Sequence, residues 1–469
     1  MKYTNSTLSR LGLLSLALLL MGQGCFGGDS STADTASINT GDVTLEYWRV
    51  FDDDDTYDVI IDNYQAQHPN VNIDYRELRF DEYEEELILA FAEDRGPDLF
   101  TIHNTQMGEY ADLLLPMPES LVITERQSSG GLRNEVVTVL TENPTMTMRE
   151  LDNLFVEQVV DDVVMDYQAD PDIDPVESIY GLPMALDSMV LFYNRDLLSA
   201  SGISAAPETW EDFQEAVIAI TDYDSTGAIT QSAAALGTAG NVERGADILS
   251  LLMMQNHTEM TDERGRITFH QIPDAVEDRF PGLDALEFYT DFANPTKEVY
   301  TWNDDFTSSF EAFANGQTAF FFGYSYHLPL LRTVAPKLNF QISRMPQIDP
   351  DVHQVHYANY WIEGVAANTE EANWAWDFLL FATGEEQVVH YLDAAEKPTA
   401  LRGLINEQIS DDTLGIFAEQ ILLSTNWYHG KDSGAMEKAM GDLIEGMLAN
   451  PEDPASLLVD AAKKVSQSY

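Results

Sequence analysis

The sequence predicts an α/β protein with more than one folding unit, and three observations support this fold class. The chain has 469 residues, and at roughly 150 residues per domain it should contain two or three folding units. Hydrophobic residues make up 44% and charged residues 22%, which is typical of globular proteins. From residue 42 onward, segments that alternate like strands are followed by segments with helical periodicity.

The first predicted elements are a strand, a helix and a second strand. Residues 43–48 alternate as a strand, and residues 71–78 alternate as the next one. Between them, one helical face carries four large side chains: Tyr57, Ile60, Ile61 and Tyr64. Pro69 ends this helix, because proline cannot continue the hydrogen-bond ladder.

A second helix and a third strand follow. Asp81 and Glu84 have the spacing of a capping box that opens a helix over 81–94. Gly96 and Pro97 break this helix before the strand-like segment 98–103. Strands that alternate with helices predict an open parallel sheet, which binds ligands beyond the carboxyl ends of its strands.

Those carboxyl ends lie at residues 48–52 and 102–105. Trp48 is expected to belong to the core, because it lies on a strand of a buried parallel sheet. The acidic run Asp52–Asp55 is interpreted as a solvated loop of an acidic protein.

The later chain shows an insertion and then a second α/β series. Residues 120–178 are interpreted as an insertion on the first unit, with a helical pattern over 151–167. A strand at 189–193, a helix that begins at Thr209 and an apolar helix around 246–255 follow.

The charge balance disfavours several classes of partner. Lys and Arg total 24 against 80 Asp and Glu, which gives a formal net charge of −56. Such a surface repels the phosphates of nucleic acids and anionic lipid head groups. The charge also suits a solvent rich in salt, where screening weakens self-repulsion, and this stays a hypothesis about habitat.

The N-terminus has the pattern of a secretory signal peptide over residues 1–24. Lys2 and Arg10 precede the apolar run 11–21, which is too short to span a bilayer. Cys25 follows directly and is expected to be lipidated. Cleavage of the signal peptide without lipidation is the alternative.

Residues 26–41 are small and polar, so residues 25–41 are expected to form a lipid-anchored cysteine and a flexible linker. The single cysteine excludes an internal disulfide and a cysteine-rich zinc site. Residues 222–230 begin like a calcium loop, but Ala233 replaces the bidentate glutamate. We expect no metal and no cofactor.

Four segments resemble one known family. Residues 180–213, YGLPMALDSMVLFYNRDLLSASGISAAPETWEDF, resemble the segment shared by extracellular solute-binding protein family 1, the maltose-binding-protein-like receptors of ATP-binding-cassette (ABC) sugar importers. Residues 96–116, 313–326 and 373–387 resemble further segments of these receptors, in the same order. The resemblance covers nearly all of 42–469.

The resemblance implies two Rossmann-like α/β lobes joined by a hinge, the type II periplasmic-binding-protein-like fold. Lobe 1 would comprise 42–186 plus 361–400, and lobe 2 would comprise 187–360 plus 401–469. Such lobes close on a ligand held between them. The implied crossover segments lie near residues 185–188, 360–364 and 398–402.

The same resemblance implies a binding protein without enzymatic activity. It would capture a mono- or oligosaccharide outside the cytoplasm and deliver it to the transmembrane permease subunits, as a monomer that only its lipid anchor holds to the membrane. Three alternatives stay open: a secreted glycosidase, a receptor for a polyamine or peptide, and a sensory receptor subunit.

Nine residues are carried over as ligand-binding candidates because their local motifs align with the family. Carboxylates and amides hydrogen-bond to hydroxyl groups, and aromatic rings pack on the C–H faces of sugars. The candidates are Asp52, Asn104, Thr105, Asp187, Tyr324, Tyr326, Trp361, Trp427 and Tyr428.

Overall fold

A computed structural model describes residues 41–129, 135–273 and 279–469. The strands in these ranges are, in chain order, β1 (Val43–Val50), β2 (Val71–Leu78), β3 (Leu99–His103), β4 (Ser120–Ser129), β5 (Glu135–Pro144), β6 (Val164–Tyr167), β7 (Val176–Ile179), β8 (Asp187–Ser188), β9 (Val190–Asn194), β10 (Asp222–Tyr223), β11 (Ile229–Ala234), β12 (Thr318–Gly323), β13 (Phe340–Ser343), β14 (His356–Asn359), β15 (Trp361–Val365) and β16 (Ser424–Thr425).

The α-helices of the same ranges are α1 (Asp54–Gln67), α2 (Phe80–Ala92), α3 (Met107–Tyr110), α4 (Met148–Leu154), α5 (Glu157–Val163), α6 (Arg195–Ala200), α7 (Trp210–Ile220), α8 (Gly245–Gln255), α9 (Pro281–Asp291), α10 (Ser309–Ala314), α11 (His327–Val334), α12 (Ala372–Ala382), α13 (Glu385–Ala395), α14 (Arg402–Gln408), α15 (Gly415–Gln420), α16 (Ser433–Ala449) and α17 (Pro454–Val465).

The first sheet has four strands in the order β15-β3-β1-β2. Strand β1 pairs in parallel with β2, with Val43 opposite Val71, and in parallel with β3, with Tyr47 opposite Leu99. Strand β15 comes from much later in the chain and closes the edge in an antiparallel sense. The predicted open parallel sheet is confirmed for the first three strands.

The second sheet has five strands in the order β10-β11-β12-β9-β13. Strands β11 and β12 are parallel, whereas β9 runs antiparallel to both β12 and β13. The strand predicted at 189–193 is confirmed as β9. The helix predicted from Thr209 is confirmed as α7, because the Thr209 side chain caps it by accepting a hydrogen bond from the backbone of Asp212.

Each sheet lies in its own hydrophobic core. The first core includes Leu45, Phe100, Ile362 and Trp376, and it fills the space between the first sheet and its helices. The second core includes the fully buried Phe320 and surrounds one face of the second sheet. Burial of this apolar surface is the main stabilising term of each unit.

The chain passes between the two cores three times. The residues that bracket the passages are Leu186 and Met189, Tyr357 and Ala358, and Ile421 and Trp427. A small sheet of order β16-β14-β8 lies at these passages. The backbone N–H of Leu186 also donates to the carbonyl of Pro398 at 3.1 Å, which ties crossover segments to each other.

Two local predictions are wrong. Helix α2 begins at Phe80, and the preceding Arg79 makes no side-chain capping bond, so the capping box at 81–94 does not form. The helical pattern over 151–167 is broken into α4, α5 and β6. The break occurs because Phe155 is fully buried and pairs with Leu401 in an isolated bridge, a tertiary contact that overrides the periodicity.

The signal peptide, Cys25 and nearly all of the linker lie outside the described residues. None of the helices within the described ranges has the length and hydropathy needed to cross a membrane.

Candidate functional site

The site begins at the carboxyl edge of the first sheet. Strand β1 leads into Phe51, β2 leads into Phe80, and β3 ends at His103. Trp361 opens the antiparallel strand β15 at the same edge, directly opposite His103 in the register. This is the edge at which open α/β sheets bind ligands.

Asn104 and Asp162 form a buried polar cluster beside this edge. Asn104 Nδ2 donates to Asp162 Oδ2 at 3.2 Å, and the Tyr360 hydroxyl donates to the same oxygen at 2.6 Å. Burial raises the pKa of Asp162 to about 6, and the nearby His429 and the bond from Tyr360 offset part of this increase. Within the described part of the chain, Asn104 Oδ1 has no hydrogen-bond partner, so it is available to a ligand.

A loop from the second core approaches this cluster. The backbone N–H of Asn426 donates to Gln158 Oε1 at 2.9 Å. Gln158 lies in α5, one helical turn before Asp162. His429 Nε2 lies 3.9 Å from Asp162 Oδ1. Gly108, beside the first core, lies so close to this loop that an added Cβ would be 2.5 Å from the carbonyl oxygen of Gly430.

Trp427 lies on that loop with 5% of its surface exposed. Its indole packs edge-on against Phe269 at 6.2 Å and against Tyr428 at 5.7 Å between ring centroids. Among the described residues, nothing accepts a hydrogen bond from its buried Nε1. A buried donor without a partner is costly, so this N–H is a second group that a ligand could satisfy.

Two of the predicted residues have internal partners. The Tyr428 hydroxyl donates to Ser468 Oγ at 2.8 Å and accepts from the backbone of Asp432, so it faces the C-terminal segment. Thr105 Oγ1 lies 2.7 Å from His103 Nδ1. These contacts position the loops on either side of the site.

Asp187 lies at a crossover and binds the end of β12. Its Oδ2 accepts bonds from the Ser325 backbone at 2.8 Å and from the Ser325 hydroxyl at 2.6 Å, and its Oδ1 accepts from the backbone of Ser188. Burial raises the pKa of Asp187 to about 7, and the bonds from Ser325 counteract part of the increase.

The tyrosines after β12 lie near an arginine. Tyr324 is buried and donates to Asp247 Oδ2 at 2.8 Å, whereas Tyr326 is 43% exposed and stacks on Tyr324 with 6.1 Å between centroids. Arg244 pairs with Asp247 at 2.7 Å. Burial, and to a lesser extent the charge of Arg244, lower the pKa of His103 to about 3.

Asp52 belongs to a different environment, which we call the hinge ion cluster: Arg49, Asp52, Glu363 and Lys397. Asp52 pairs with Arg49 at 2.9 Å and with Lys397 at 2.7 Å, and Arg49 also pairs with Glu363 at 3.2 Å. Burial alone would raise the pKa of Asp52, but the two cations lower it below its ordinary value. A ligand contact by Asp52 stays a prediction, because internal partners already hold both of its oxygens.

The acidic run 52–55 is only partly the solvated loop that the sequence suggested, because Asp53, Asp54 and Asp55 are exposed but open a helix. Asp52 is buried in the hinge ion cluster, and Asp53 caps α1 by accepting from the backbone of Thr56 at 3.1 Å. Asp54 and Asp55 lie in the first turn of that helix, where the macrodipole favours negative charge. The run therefore has a structural role.

Sequence reasoning missed four residues of this region: Phe51, Phe80, Asp162 and Arg244. Phe51 directly follows the end of β1, and Phe80 lies two residues after the end of β2, which is a signal that could have found them. Asp162 was hidden inside a segment interpreted as one continuous helix, and nothing local marks Arg244. In the described ranges, no group of three or more His, Cys, Asp or Glu side chains is arranged to hold a metal.

Comparisons with known proteins identify the family and similar structures. A family model described as bacterial extracellular solute-binding protein matches residues 59–413. The cyclic α-maltosyl-1,6-maltose binding protein of Arthrobacter globiformis is similar in structure, with a TM-score of 0.69, 16% identity, and coverage of 91% of this chain and 99% of that one.

Two further structures are similar over the same extent. An ABC substrate-binding protein of Listeria monocytogenes in complex with cycloalternan has a TM-score of 0.66 at 14% identity, covering 91% of this chain and 98% of that one. A solute-binding protein of Thermotoga lettingae bound with α-D-tagatose has a TM-score of 0.62 at 17% identity, covering 90% and 99%. The predicted two-lobe α/β fold is confirmed, and with a family model matched over most of its length, the chain belongs to the bacterial extracellular solute-binding proteins.

Proposed function

We propose that this protein is the substrate receptor of an ABC importer and that it captures a carbohydrate between its two lobes for delivery to a membrane permease. The observation that carries the proposal is the mixed set of groups where the cores meet. Asn104 Oδ1 and Trp427 Nε1 are buried and have no partner among the described residues. Aromatic faces and the carboxylate of Asp187 lie in the same region.

This set of groups suits the chemistry of a sugar. A buried pyranose needs donors and acceptors for its hydroxyls and a flat apolar surface for its C–H face. We assign the hydroxyl contacts to Asn104 and to Asp187, which is partly exposed whereas Asp52 is buried. We assign the ring contacts to Tyr326, Trp361 and Trp427. Asp52, Thr105, Tyr324 and Tyr428 then act by holding these groups in place.

Closure of the two lobes supplies the means of capture. We propose that the lobes comprise 42–186 plus 361–400 and 187–360 plus 401–469. Leu401 and Ile421 pack in the first core, whereas Phe417 between them packs with Phe192 of the second sheet, so the third passage of this proposal extends over residues 401–427. A ligand that bridges the lobes favours the closed state because it makes both sets of contacts only there.

Similar proteins support the choice of ligand class. Four of the similar proteins were solved as complexes with cycloalternan, maltotetraose, mannobiose and α-D-tagatose. We therefore place a mono- or oligosaccharide ahead of a polyamine or a peptide. We also propose that the protein acts outside the cytoplasm as a monomer, anchored through Cys25, and that it has no catalytic activity.

A thermal-shift screen tests the function directly. Purified protein is melted with mono- and oligosaccharides, with spermidine and putrescine, and with short peptides. A ligand at 100 times its dissociation constant should add about 2.7 kcal/mol to the free energy of unfolding. We expect shifts only with sugars. Shifts only with polyamines or peptides would contradict the proposal.

Two controls sharpen this screen. Asn104→Ala should reduce the sugar-induced shift, whereas Asn339→Ala, at an exposed asparagine beside β13, should leave it unchanged. Chromatography of the bound oligosaccharide after a long incubation should return it intact. Release of shorter sugars would instead indicate a glycosidase.

A further inference from the structure

Two large aromatic rings are exposed at the carboxyl edge of the first sheet. Phe51 is 56% exposed and Phe80 is 62% exposed. The rings stack on each other with 5.4 Å between centroids and 17° between planes. Trp361 meets both rings edge-on, at 5.8 Å and 6.3 Å. We call these three side chains the aromatic ledge.

The backbone that presents Phe51 is strained. Phe51 has φ of 73°, and the N–H of Asp52 donates to the carbonyl of Val50 at 3.0 Å across it. This is the geometry of a classic γ-turn, which is rare and unfavourable for a residue with a side chain. Strain of this kind persists where the surrounding structure fixes it, and it is concentrated at functional sites.

The hinge ion cluster holds this turn in place through Asp52, the residue that follows Phe51. Asp52, the next residue, is buried and pairs with Arg49 and Lys397. Its carbonyl oxygen also accepts a bond from the Tyr75 hydroxyl at 2.5 Å. Because the backbone and side chain of Asp52 are held on both sides, Phe51 has to turn outward. The fold therefore maintains an exposed phenyl ring that hydrophobic burial alone would not favour.

The ledge is continuous with the candidate site. Trp361 lies 5.3 Å from His103 between ring centroids, and His103 directly precedes Asn104. A ligand that reaches Asn104 can thus extend along the same edge over Trp361 toward Phe51 and Phe80.

We infer that the aromatic ledge is a subsite for a second sugar ring, so that the receptor selects di- and oligosaccharides over monosaccharides. This inference rests on the proposed function. The occupant follows from the surface itself: stacked aromatic faces suit the C–H face of a pyranose, and the ledge adjoins a site that supplies hydrogen bonds to the neighbouring ring.

Calorimetric titration of a length series tests this inference. The probes are gluco- and manno-oligosaccharides of one to four units. We expect the affinity of the wild type to rise at least tenfold between one and two or more units. Phe51→Ala and Phe80→Ala should each lose most of this increase and should change the affinity for the monosaccharide less than twofold.

Two further variants separate the loss of a ledge ring from changes in backbone strain and from the loss of an exposed ring elsewhere. Phe51→Gly removes the ring and also suits a positive φ, so it should lose the length preference while its melting temperature stays at or above that of the wild type. Tyr223→Ala removes an exposed ring of β10 that stacks on Tyr300. It should keep the wild-type length preference.

The possible outcomes distinguish a failure of the aromatic-ledge inference from a failure of the proposed function. Sugar binding that does not depend on chain length, or Phe51 and Phe80 variants with the wild-type length series, would overturn the ledge and leave the proposed function standing. Binding of spermidine or peptides with no binding of any sugar would overturn both.

Discussion

Two buried carboxylates of the first lobe have opposite electrostatic environments. Asp52 pairs with two cations, and its pKa is lowered. Asp162 receives bonds mainly from neutral groups, and its pKa is raised to about 6. The first belongs to a cluster of two cations and two carboxylates, whereas the second has the imidazole of His429 at 3.9 Å and no Lys or Arg among its ion-pair partners in the described residues.

This difference in charge environment suggests which cluster stabilises the fold and which one can interact with a ligand. A balanced buried cluster holds elements together and leaves little for a ligand to add. A buried carboxylate without a full counter-charge costs stability, and such groups are concentrated at functional sites. We therefore propose that the hinge ion cluster has an architectural role and that the Asp162 cluster takes part in binding and closure.

The largest expected effect comes from unbalancing the hinge ion cluster. Arg49→Met leaves Asp52 and Glu363 buried with only Lys397 as counter-charge, and breaking such a pair costs about 3 to 5 kcal/mol. Urea denaturation should show this loss. Arg79→Met, which removes an exposed arginine that pairs with Glu82, should change stability by less than about 1 kcal/mol. Equal losses of stability in the two variants would contradict the larger contribution that we expect from the buried ion pairs.

The pH dependence of stability should differ between the two carboxylates. The pKa of Asp162 in the folded state, about 6, exceeds the value of about 3.9 for an unfolded chain. The folded state therefore binds this proton more tightly, and stability falls as pH rises from about 4 to about 6. The penalty at pH 7 is up to about 3 kcal/mol.

Asp162→Asn removes this penalty and should be more stable than the wild type at pH 7 but not at pH 4. Urea denaturation of both proteins at the two pH values measures the difference. Asp52 has the opposite sign: it contributes stability above pH 4 that is lost as pH falls through its lowered pKa. A variant at Asp162 with the same pH profile as the wild type would contradict the raised pKa.

A comparable effect on binding is expected at Asp187. A charged hydrogen bond in a closed cleft contributes about 1.5 to 3 kcal/mol, so Asp187→Asn should weaken sugar binding tenfold or more while the fold persists. Titration calorimetry measures the change, with Asp196→Asn on exposed α6 as the control. Unchanged affinity would place Asp187 with Asp52 among the architectural carboxylates.

Trp427 provides the smallest of the expected effects. An indole that stacks on a sugar contributes about 1 to 3 kcal/mol of affinity, and Trp427→Ala should lose this affinity. It should also lose stability, because the indole is buried against Phe269 and Tyr428 in the second core. Trp427→Phe keeps a ring but removes the unpartnered N–H, so it should recover only part of the affinity.

Trp376→Ala, in the first core, provides the contrasting case and should cost about 3 to 5 kcal/mol of stability. Denaturation and titration of the same Trp427 variant decide between the two roles. A large stability loss with unchanged affinity of the folded fraction would make Trp427 a core residue.

The local elements and the family could be predicted from the amino-acid sequence alone. Alternation and helical periodicity located β1, β2, β3, β9 and α7, because these patterns reflect which face of an element is buried. The segment 180–213 carried the family resemblance because its residues are contiguous. Strand ends also marked the edge of the first sheet at which the candidate site lies.

Only the tertiary structure decided the role of each polar side chain. Asp52 follows the first strand, as a ligand contact would, but it pairs with Lys397, which lies 345 positions later in the chain. Phe51 is turned outward by that same pairing, and Phe155 interrupts a helical pattern to pair with Leu401. These outcomes depend on which distant groups meet in a low-dielectric interior, where pairing or desolvation of a charge outweighs local preference.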